Sequence, residues 1–227
     1  MKAPLVLVLC TNTVKGTKSL GAIPLLKIND KKTILQYLYN NIRTCWPDSK
    51  IVCSVKNQDQ RLIKYIDNNF ADIECDLCDV DHLFNESQAL KQVFEKQPVS
   101  DTIVLDVNCV LDKNMFKKFK DYDLSMPFMV ENTYTEYKSK LGCILNKQSG
   151  STQNIFFGLP NRLLKYYYIP QQYAHHIVES KPANSKFLFE LLNSASKNIN
   201  INSIKTKKCI NINCIKDYKK MKEINFV

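Results

Sequence analysis

Glycine is scarce in this chain, with only 5 residues among 227. Long apolar runs are also missing, and none approaches the ~20 residues that a membrane-spanning helix needs. The N-terminus has the pattern of a strand and carries no cleavage-site motif. The sequence therefore predicts neither a membrane helix nor a signal peptide, and we expect a cytoplasmic protein without a membrane partner.

Patterns typical of a zinc site are absent as well. The chain has 3 histidines and 9 cysteines, but Cys75 and Cys78 form a single CxxC, and a zinc site needs four converging ligands. His175 and His176 are adjacent on a predicted helix, so their side chains diverge by about 100°. The remaining cysteines are scattered through apolar runs, which predicts small core residues in a reducing compartment at Cys10, Cys53 and Cys109.

Size and charge set further bounds. A chain of 227 residues with 44% apolar content can bury one sizeable α/β core, so we predict a single domain over residues 1–227. The formal net charge of +10 favours an anionic partner, which includes nucleotides, nucleic acid and acidic proteins. Most of this charge is scattered lysine, and solvated helix faces explain its clusters more often than a dedicated groove does.

Strand and helix patterns alternate through the first half of the chain. Residues 4–10 are a continuous apolar run of strand length, as expected in a parallel sheet covered on both faces. Further strands are predicted over 50–55 and 102–107, with an extended piece at 71–77, and helices over 34–44, 58–70 and 87–96. This βαβαβαβ order predicts a parallel sheet whose ligand site lies at the carboxyl ends of the strands.

The middle of the chain predicts a smaller mixed sheet. Residues 126–134, 140–146 and 153–159 have strand patterns. We predict a helix over 161–168, whose run of tyrosines either packs half-buried or stacks on nucleobases.

A loop suited to phosphate follows the first strand. Gly16 lets the backbone approach an anion, Thr17 adds a hydroxyl, and Lys18 adds a positive charge. This stretch, with LLKINDK at residues 25–31, resembles the N-terminal signature of nucleotidyltransferases that make NDP-sugars and CDP- or CMP-activated small molecules. It departs from that signature where the family has its first loop glycine (Asn12), its arginine (Lys18) and its Pro-Lys pair (Ala22 and Ile23).

The resemblance implies an α/β, Rossmann-like fold of GT-A type, with a mostly parallel sheet flanked by helices and a small mixed-sheet extension. It implies a nucleotide-binding half over 1–124, an acceptor or partner half over 125–200, and a closing strand and helix over 201–227. The segment Asn85 to Ala89 resembles the family's nucleobase-reading loop, although Asn85 or Ser87 is also a suitable helix N-cap. The nucleotide-binding residues implied are Cys10, Thr11, Asn12, Gly16, Thr17, Lys18, Ser87 and Gln88.

The metal positions depart furthest from the family. The family holds Mg²⁺ with an aspartate after the fourth strand and another before the final helix, and these positions align with Asn108 and Asn213. An amide oxygen is a poorer ligand for a hard dication than a carboxylate. Asp106 is the alternative metal ligand, and it could equally cap the turn after its strand.

Three functions follow from these observations. The first is transfer of a nucleotidyl group from an NTP to a phosphorylated small molecule, with Lys18 and Asp106 as catalytic residues and Mg²⁺ as cofactor. A glycosyltransferase of the same fold is a variant of it. The second is an impaired relative that serves as a binding or scaffold subunit with a protein partner or a second copy of itself. The third is a basic nucleic-acid-binding protein, so whether the chain is an enzyme stays open at this point.

Overall fold

A computed structural model describes residues 3–10, 21–78, 86–121, 126–132, 141–145, 152–157, 162–179, 188–206, 209–212 and 214–224. The described residues form eleven strands, seven α-helices and a short 3-10 turn at Ile23–Leu25. The strands are β1 Leu5–Leu9, β2 Lys50–Lys56, β3 Ile73–Cys78, β4 Thr102–Asp106, β5 Cys109–Leu111, β6 Phe128–Asn132, β7 Leu141–Leu145, β8 Thr152–Phe157, β9 Arg162–Ile169, β10 Asn202–Thr206 and β11 Cys209–Asn211. The helices are α1 Ile34–Cys45, α2 Gln60–Asn69, α3 Glu86–Lys96, α4 Lys113–Asp121, α5 Gln171–Glu179, α6 Leu188–Ala195 and α7 Ile215–Glu223.

The main sheet has seven strands in the order β10-β6-β9-β4-β1-β2-β3. Strands β1, β2 and β3 pair in parallel, as do β10 and β6, whereas β6 and β9 pair antiparallel. Two antiparallel ladders, β5 with β11 and β7 with β8, complete the strands. The predicted α/β class, with a mostly parallel sheet, flanking helices and a mixed-sheet extension, is confirmed.

The chain divides into two compact units. The first comprises Met1–Asp81, Leu105–Tyr122 and Cys209–Val227, and it holds β1 to β3, the β5–β11 ladder, α1, α2, α4 and α7. The second comprises His82–Val104 and Asp123–Lys208, and it holds α3, β6 to β10, α5 and α6. The boundary at residues 104 and 105 falls inside β4. The single domain over 1–227 and its three subdivisions stay predictions.

The first βα unit forms as its sequence predicts. All residues of β1 are buried, which fits a strand covered on both faces. Helix α1 begins at a capping box in which Thr33 Oγ1 accepts the Gln36 N–H at 3.1 Å and Gln36 Oε1 accepts the Thr33 N–H at 3.1 Å. Two orphan amides of the first turn are thereby satisfied, and the apolar residues that follow pack into the core.

The helix predicted over 161–168 is wrong, because residues 162–168 lie in strand β9 and residue 161 lies outside the described residues. Its three consecutive tyrosines, Tyr166, Tyr167 and Tyr168, are each only 1% exposed. A helix would turn successive side chains by about 100°, whereas a strand within a sheet covered on both faces buries neighbours alike. Tyrosine also favours strands, and Pro170 ends the element before α5. Neither predicted role of these tyrosines, half-buried packing on a helix or base stacking, fits this strand.

A buried carboxylate fastens two helices of the second unit. Glu86, in the first turn of α3, is 1% exposed, and its Oε2 accepts the Leu188 N–H at 3.2 Å where α6 begins. An acidic group is favourable at a helix N-terminus, where amides lack partners within the helix. Glu86 therefore fixes the start of α6 relative to α3.

Candidate functional site

The carboxyl ends of β1, β2 and β4 meet in the first unit. The Cys10 N–H donates to the Ser54 carbonyl at 3.0 Å, and the Val107 N–H donates to the Leu9 carbonyl at 3.2 Å. From β1 the chain winds through β2 to β3 on one side, whereas β4 lies on the other side of β1. Such a change of winding direction opens a crevice at the strand ends, where ligands of open α/β sheets bind. We call the ends of β1, β2 and β4 the strand-end site.

Asp106 ends β4 inside this site and forms a tight turn. Its side chain is 1% exposed, and its Oδ1 accepts the Asn108 N–H at 2.9 Å. Strand β5 then begins at Cys109. The alternation of side chains along a strand therefore stops at Asp106, and the turn-capping role predicted for this aspartate is present in the structure.

Asn108 is the second polar residue of the turn. It is 3% exposed, and its Oδ1 has no hydrogen-bond partner among the described residues. Its backbone carbonyl accepts the Ile212 N–H at 2.7 Å, just beyond the antiparallel pairing of β5 with β11. Asn213 directly follows Ile212 in the sequence and lies outside the described residues. Strand β11 thus ends beside Asn108.

Cys10 brings a neutral thiol to the same edge. A hydrogen bond with Cys53 and burial raise the pKa of Cys10 well above its ordinary value, and the charge of Asp106 acts in the same direction. On strand β3, which lies beyond β2, burial raises the pKa of Cys75 to about 12. The thiolate, and not the thiol, is the form of cysteine that acts as a nucleophile or metal ligand. Cys10 and Cys75 are therefore neither nucleophiles nor metal ligands at neutral pH.

Lys56 ends β2 and was not identified in the sequence, because the predicted strand stopped at Val55. The register Leu9↔Ser54 places Lys56 two residues beyond the paired part of β1. Burial lowers the pKa of Lys56, and the charge of Asp59 opposes that shift. Among the described residues at the carboxyl ends of β1 to β4, Lys56 is the only cation. A charged residue at the end of an apolar strand is the signal that could have pointed to it.

The other predicted nucleotide-binding residues fall in two places. Thr11, Asn12, Gly16, Thr17 and Lys18 lie outside the described residues. Ser87 and Gln88 belong to the first turn of α3 in the second unit. Ser87 is 4% exposed, and its Oγ has no hydrogen-bond partner among the residues that the structure describes. The alternative that Ser87 is the N-cap of α3 is wrong, because the helix begins one residue earlier.

In the described part of the chain, no group of three or more His, Cys, Asp or Glu side chains is placed to bind a metal ion. The eight cysteines whose side chains are described are free thiols. Cys10, Cys53 and Cys109 are buried, so the prediction of core cysteines is confirmed for these three. No helix within the described ranges is long and apolar enough to cross a bilayer.

Comparison with solved structures identifies the fold. CTP:phosphocholine cytidylyltransferase from Streptococcus pneumoniae is similar with a TM-score of 0.78 at 14% identity, covering 97% of this chain and 98% of that chain. The inositol-1-phosphate CTP transferase of T. maritima gives a TM-score of 0.74 at 9% identity, with 97% and 96% covered. A UDP-glucose pyrophosphorylase complexed with UDP-glucose gives 0.73 at 13% identity, with 97% of each chain covered.

The chain therefore has the fold of the nucleotidyltransferases, as the resemblance in its sequence implies. No family profile matches the sequence, and no curated protein matches it. Likeness at these identities establishes the fold, whereas function must be argued from the site.

Proposed function

We propose that this chain is a nucleotidyltransferase-like protein that binds a nucleoside triphosphate at the strand-end site and transfers its nucleotidyl group to a phosphorylated small molecule. The observation that carries the proposal is the meeting of three strand ends at the point where the sheet changes winding direction. Cys10, which follows the first of these strands, is directly succeeded in the sequence by residues 11–20, where a glycine-bearing phosphate loop is predicted.

The solved structures of similar fold support the choice of substrates. Two of them are named for CTP together with phosphocholine or inositol 1-phosphate, and a third was solved with UDP-glucose. These names share one chemistry, in which a nucleotide is joined to a phosphorylated alcohol or sugar. We propose the same pair of substrate classes for this chain.

In the proposed reaction, an acceptor phosphate oxygen attacks the α-phosphorus of the triphosphate. A new P–O bond forms, the bond from the α-phosphorus to the bridging oxygen breaks, and pyrophosphate leaves with the electron pair. The predicted contribution of Gly16, Thr17 and Lys18 is to bind the phosphates, and that of Ser87 and Gln88 is to contact the base. Such transfer depends on positioning and on neutralising the charge of the phosphates.

A magnesium ion of the kind that the resemblance implies does not fit the donor set of this site. Asp106 is the only carboxylate among the described residues that end β1, β2 and β4, and its Oδ1 already accepts the Asn108 N–H. Asn108 and Asn213 stand where two aspartates would be needed, and both are neutral. Mg²⁺ is held chiefly by carboxylates and substrate phosphates. Asp106, Asn108 and Asn213 as metal ligands stay predictions, and the reaction above assigns no step to a metal.

The same observation favours a second function, in which the chain binds nucleotide without turning it over and acts as a binding subunit. A site with one carboxylate where two are expected has less means to organise a metal-bound triphosphate. This alternative shares the nucleotide site with the first proposal and differs from it only in turnover.

One experiment sorts these functions. ATP, CTP, GTP and UTP are each titrated calorimetrically into the protein, and pyrophosphate release is then measured with phosphocholine, inositol 1-phosphate and glucose 1-phosphate as acceptors. Binding of one nucleotide with acceptor-dependent pyrophosphate release supports transfer. Binding without release under any acceptor supports the binding subunit. No heat from any nucleotide would overturn both.

A further inference from the structure

A hairpin and a helix of the first unit meet on its surface. The Tyr218 hydroxyl of α7 donates to the Lys27 carbonyl at 3.0 Å. Lys27 begins the hairpin, residues 27–33, which closes where the Ile28 N–H donates to the Lys32 carbonyl at 2.9 Å. The hairpin and α7 are therefore adjacent, and side chains of both can contact one partner.

The hairpin carries three lysines, Lys27, Lys31 and Lys32, and all three are exposed. None of the ion pairs among the described residues involves them. Asn29 Oδ1 accepts the Lys31 N–H at 3.1 Å and the Lys32 N–H at 2.8 Å, so an asparagine side chain holds the turn that carries both lysines. Asp30 is the one acidic residue of the hairpin.

Helix α7 continues the positive charge beside the hairpin. Successive helical residues are about 100° apart, so Lys222 and Lys219 lie about 40° and 100° around the axis from Tyr218, in the same direction. Met221 lies about 60° from Tyr218 in the other direction, and it is 0% exposed. Both lysines are exposed, and Lys222 Nζ is 5.4 Å from the centroid of the Tyr218 ring. They therefore lie on the solvent side of the tyrosine that contacts the hairpin.

The acidic residues of α7 do not neutralise these lysines. Asp217 is half-buried, and its Oδ2 accepts the Cys214 N–H at 3.1 Å at the start of the helix. Glu223 lies about 140° around the axis from Tyr218, on the far side of the helix, in nearly the same direction as Lys216 at about 160°. The hairpin and α7 together carry seven lysines and three acidic residues, which gives a net charge of +4.

We propose that five of these lysines form a second binding site of the chain, which takes the phosphodiester backbone of a nucleic acid. We call them the basic surface: Lys27, Lys31, Lys32, Lys219 and Lys222. This function is separate from nucleotide binding at the strand-end site and does not rest on it.

The composition of the basic surface favours a nucleic acid over an acidic protein. Protein interfaces are depleted in lysine and have an apolar core, whereas Ile215 is the only exposed large apolar residue among the described residues of the hairpin and α7. Interfaces with nucleic acid are polar and strongly positive. A phosphodiester backbone repeats its charge at regular intervals, so it can pair with several lysines without a shaped pocket.

The test is fluorescence anisotropy of a fluorescein-labelled oligo(dT) strand of about 20 nucleotides, titrated in EDTA across a range of KCl concentrations. A duplex of the same length, run in parallel, shows which form of nucleic acid binds more tightly. Each lysine paired with a phosphate of a single strand adds about 0.7 to the fall of log K with log salt, which is about fivefold in affinity at 0.1 M salt.

The two elements are tested separately, since the proposal requires both. The hairpin variant Lys31→Gln/Lys32→Gln should weaken binding of the strand about 25-fold at 0.1 M KCl and make the salt slope shallower by about 1.4. Lys219→Gln on α7 should weaken it about fivefold, with a change in slope of about 0.7.

Helix α4 provides a matched control. Lys117 and Lys118 are exposed, and Lys117→Gln/Lys118→Gln removes the same charge as the hairpin variant from another surface of the same unit. Its affinity for the strand should stay within about twofold of the wild type. The comparison therefore separates the basic surface from a general effect of net charge.

Four results would overturn the proposal. The first is no binding of either probe at low salt, and the second is wild-type affinity in the hairpin or α7 variants. The third is an equal loss in the α4 control, which would show that only net charge matters. The fourth is displacement of the strand by poly-glutamate as effectively as by unlabelled oligo(dT), which would indicate an acidic protein partner. Nucleotide binding at the strand-end site is measured separately by calorimetry, so neither proposal depends on the other.

Discussion

Replacing Asp106 by alanine is expected to lower the free energy of unfolding by about 2–3 kcal/mol, because it removes the acceptor of a buried, charge-assisted hydrogen bond. The carboxylate is 1% exposed and accepts the Asn108 N–H at 2.9 Å. Without it, that N–H is left unpaired in a place that water does not reach. Asp106→Asn keeps an acceptor oxygen of similar shape, and we expect it to cost about 1 kcal/mol, since a neutral hydrogen bond is roughly half as strong.

The assay is urea unfolding at neutral pH, followed by nucleotide titration of the same variants. Asp112→Ala is the control, because Asp112 Oδ1 accepts the Asn114 N–H at 2.8 Å in an equivalent turn before α4. It should lose about 1 kcal/mol, as expected for a helix cap, with nucleotide affinity unchanged. The reasoning predicts that Asp106→Asn also keeps its affinity in EDTA. A loss above tenfold for Asp106→Asn, with stability intact, would mean that the carboxylate binds ligand rather than supporting the turn.

Three further predictions concern the framework. Tyr37→Phe should lower the free energy of unfolding by about 1–2 kcal/mol, because the Tyr37 hydroxyl donates to the Leu111 carbonyl at 2.7 Å. Burial raises the pKa of Tyr37 above its ordinary 10.0, so the urea midpoint of the wild type should fall more steeply above pH 10 than that of the variant. Parallel curves would contradict this. Glu86→Ala should lower the free energy of unfolding, measured by calorimetry, by about 2 kcal/mol, and Glu86→Gln should lower it clearly less. Only the alanine leaves the Leu188 N–H without its acceptor, and equal losses would refute that role. Because burial raises the pKa of Cys75 to about 12, iodoacetamide at pH 8 should modify Cys75 slowly in the native protein and rapidly in urea, as read by peptide mass spectrometry. Equal rates would show that the fold does not protect this half-buried thiol.

The first half of the fold can be predicted from the sequence because its signals are local. The run over β1 is entirely apolar, which singles out a strand covered on both faces, and Thr33 with Gln36 spells the capping box that starts α1. Local signals of this kind could not distinguish strand β9 from a helix. Tyr166 to Tyr168 fit either a helix or a strand by local pattern, and burial of all three depends on strands that are distant in sequence.

The geometry of the candidate site depends on contacts of still longer range. The pairing of Cys109–Leu111 with Cys209–Asn211 joins segments 100 residues apart through strands of only three residues, which carry no recognisable alternation. The sequence aligns Asn108 with a metal position, but only the folded turn shows that Asp106 Oδ1 is engaged by the Asn108 backbone. Lys56, which ends β2, was left out because the strand boundary was predicted one residue early.

The most direct test of the account is a crystal structure of the full chain grown with its best-binding nucleoside triphosphate in EDTA. We predict that the triphosphate lies across the carboxyl ends of β1, β2 and β4. A nucleotide bound elsewhere on the protein would contradict it.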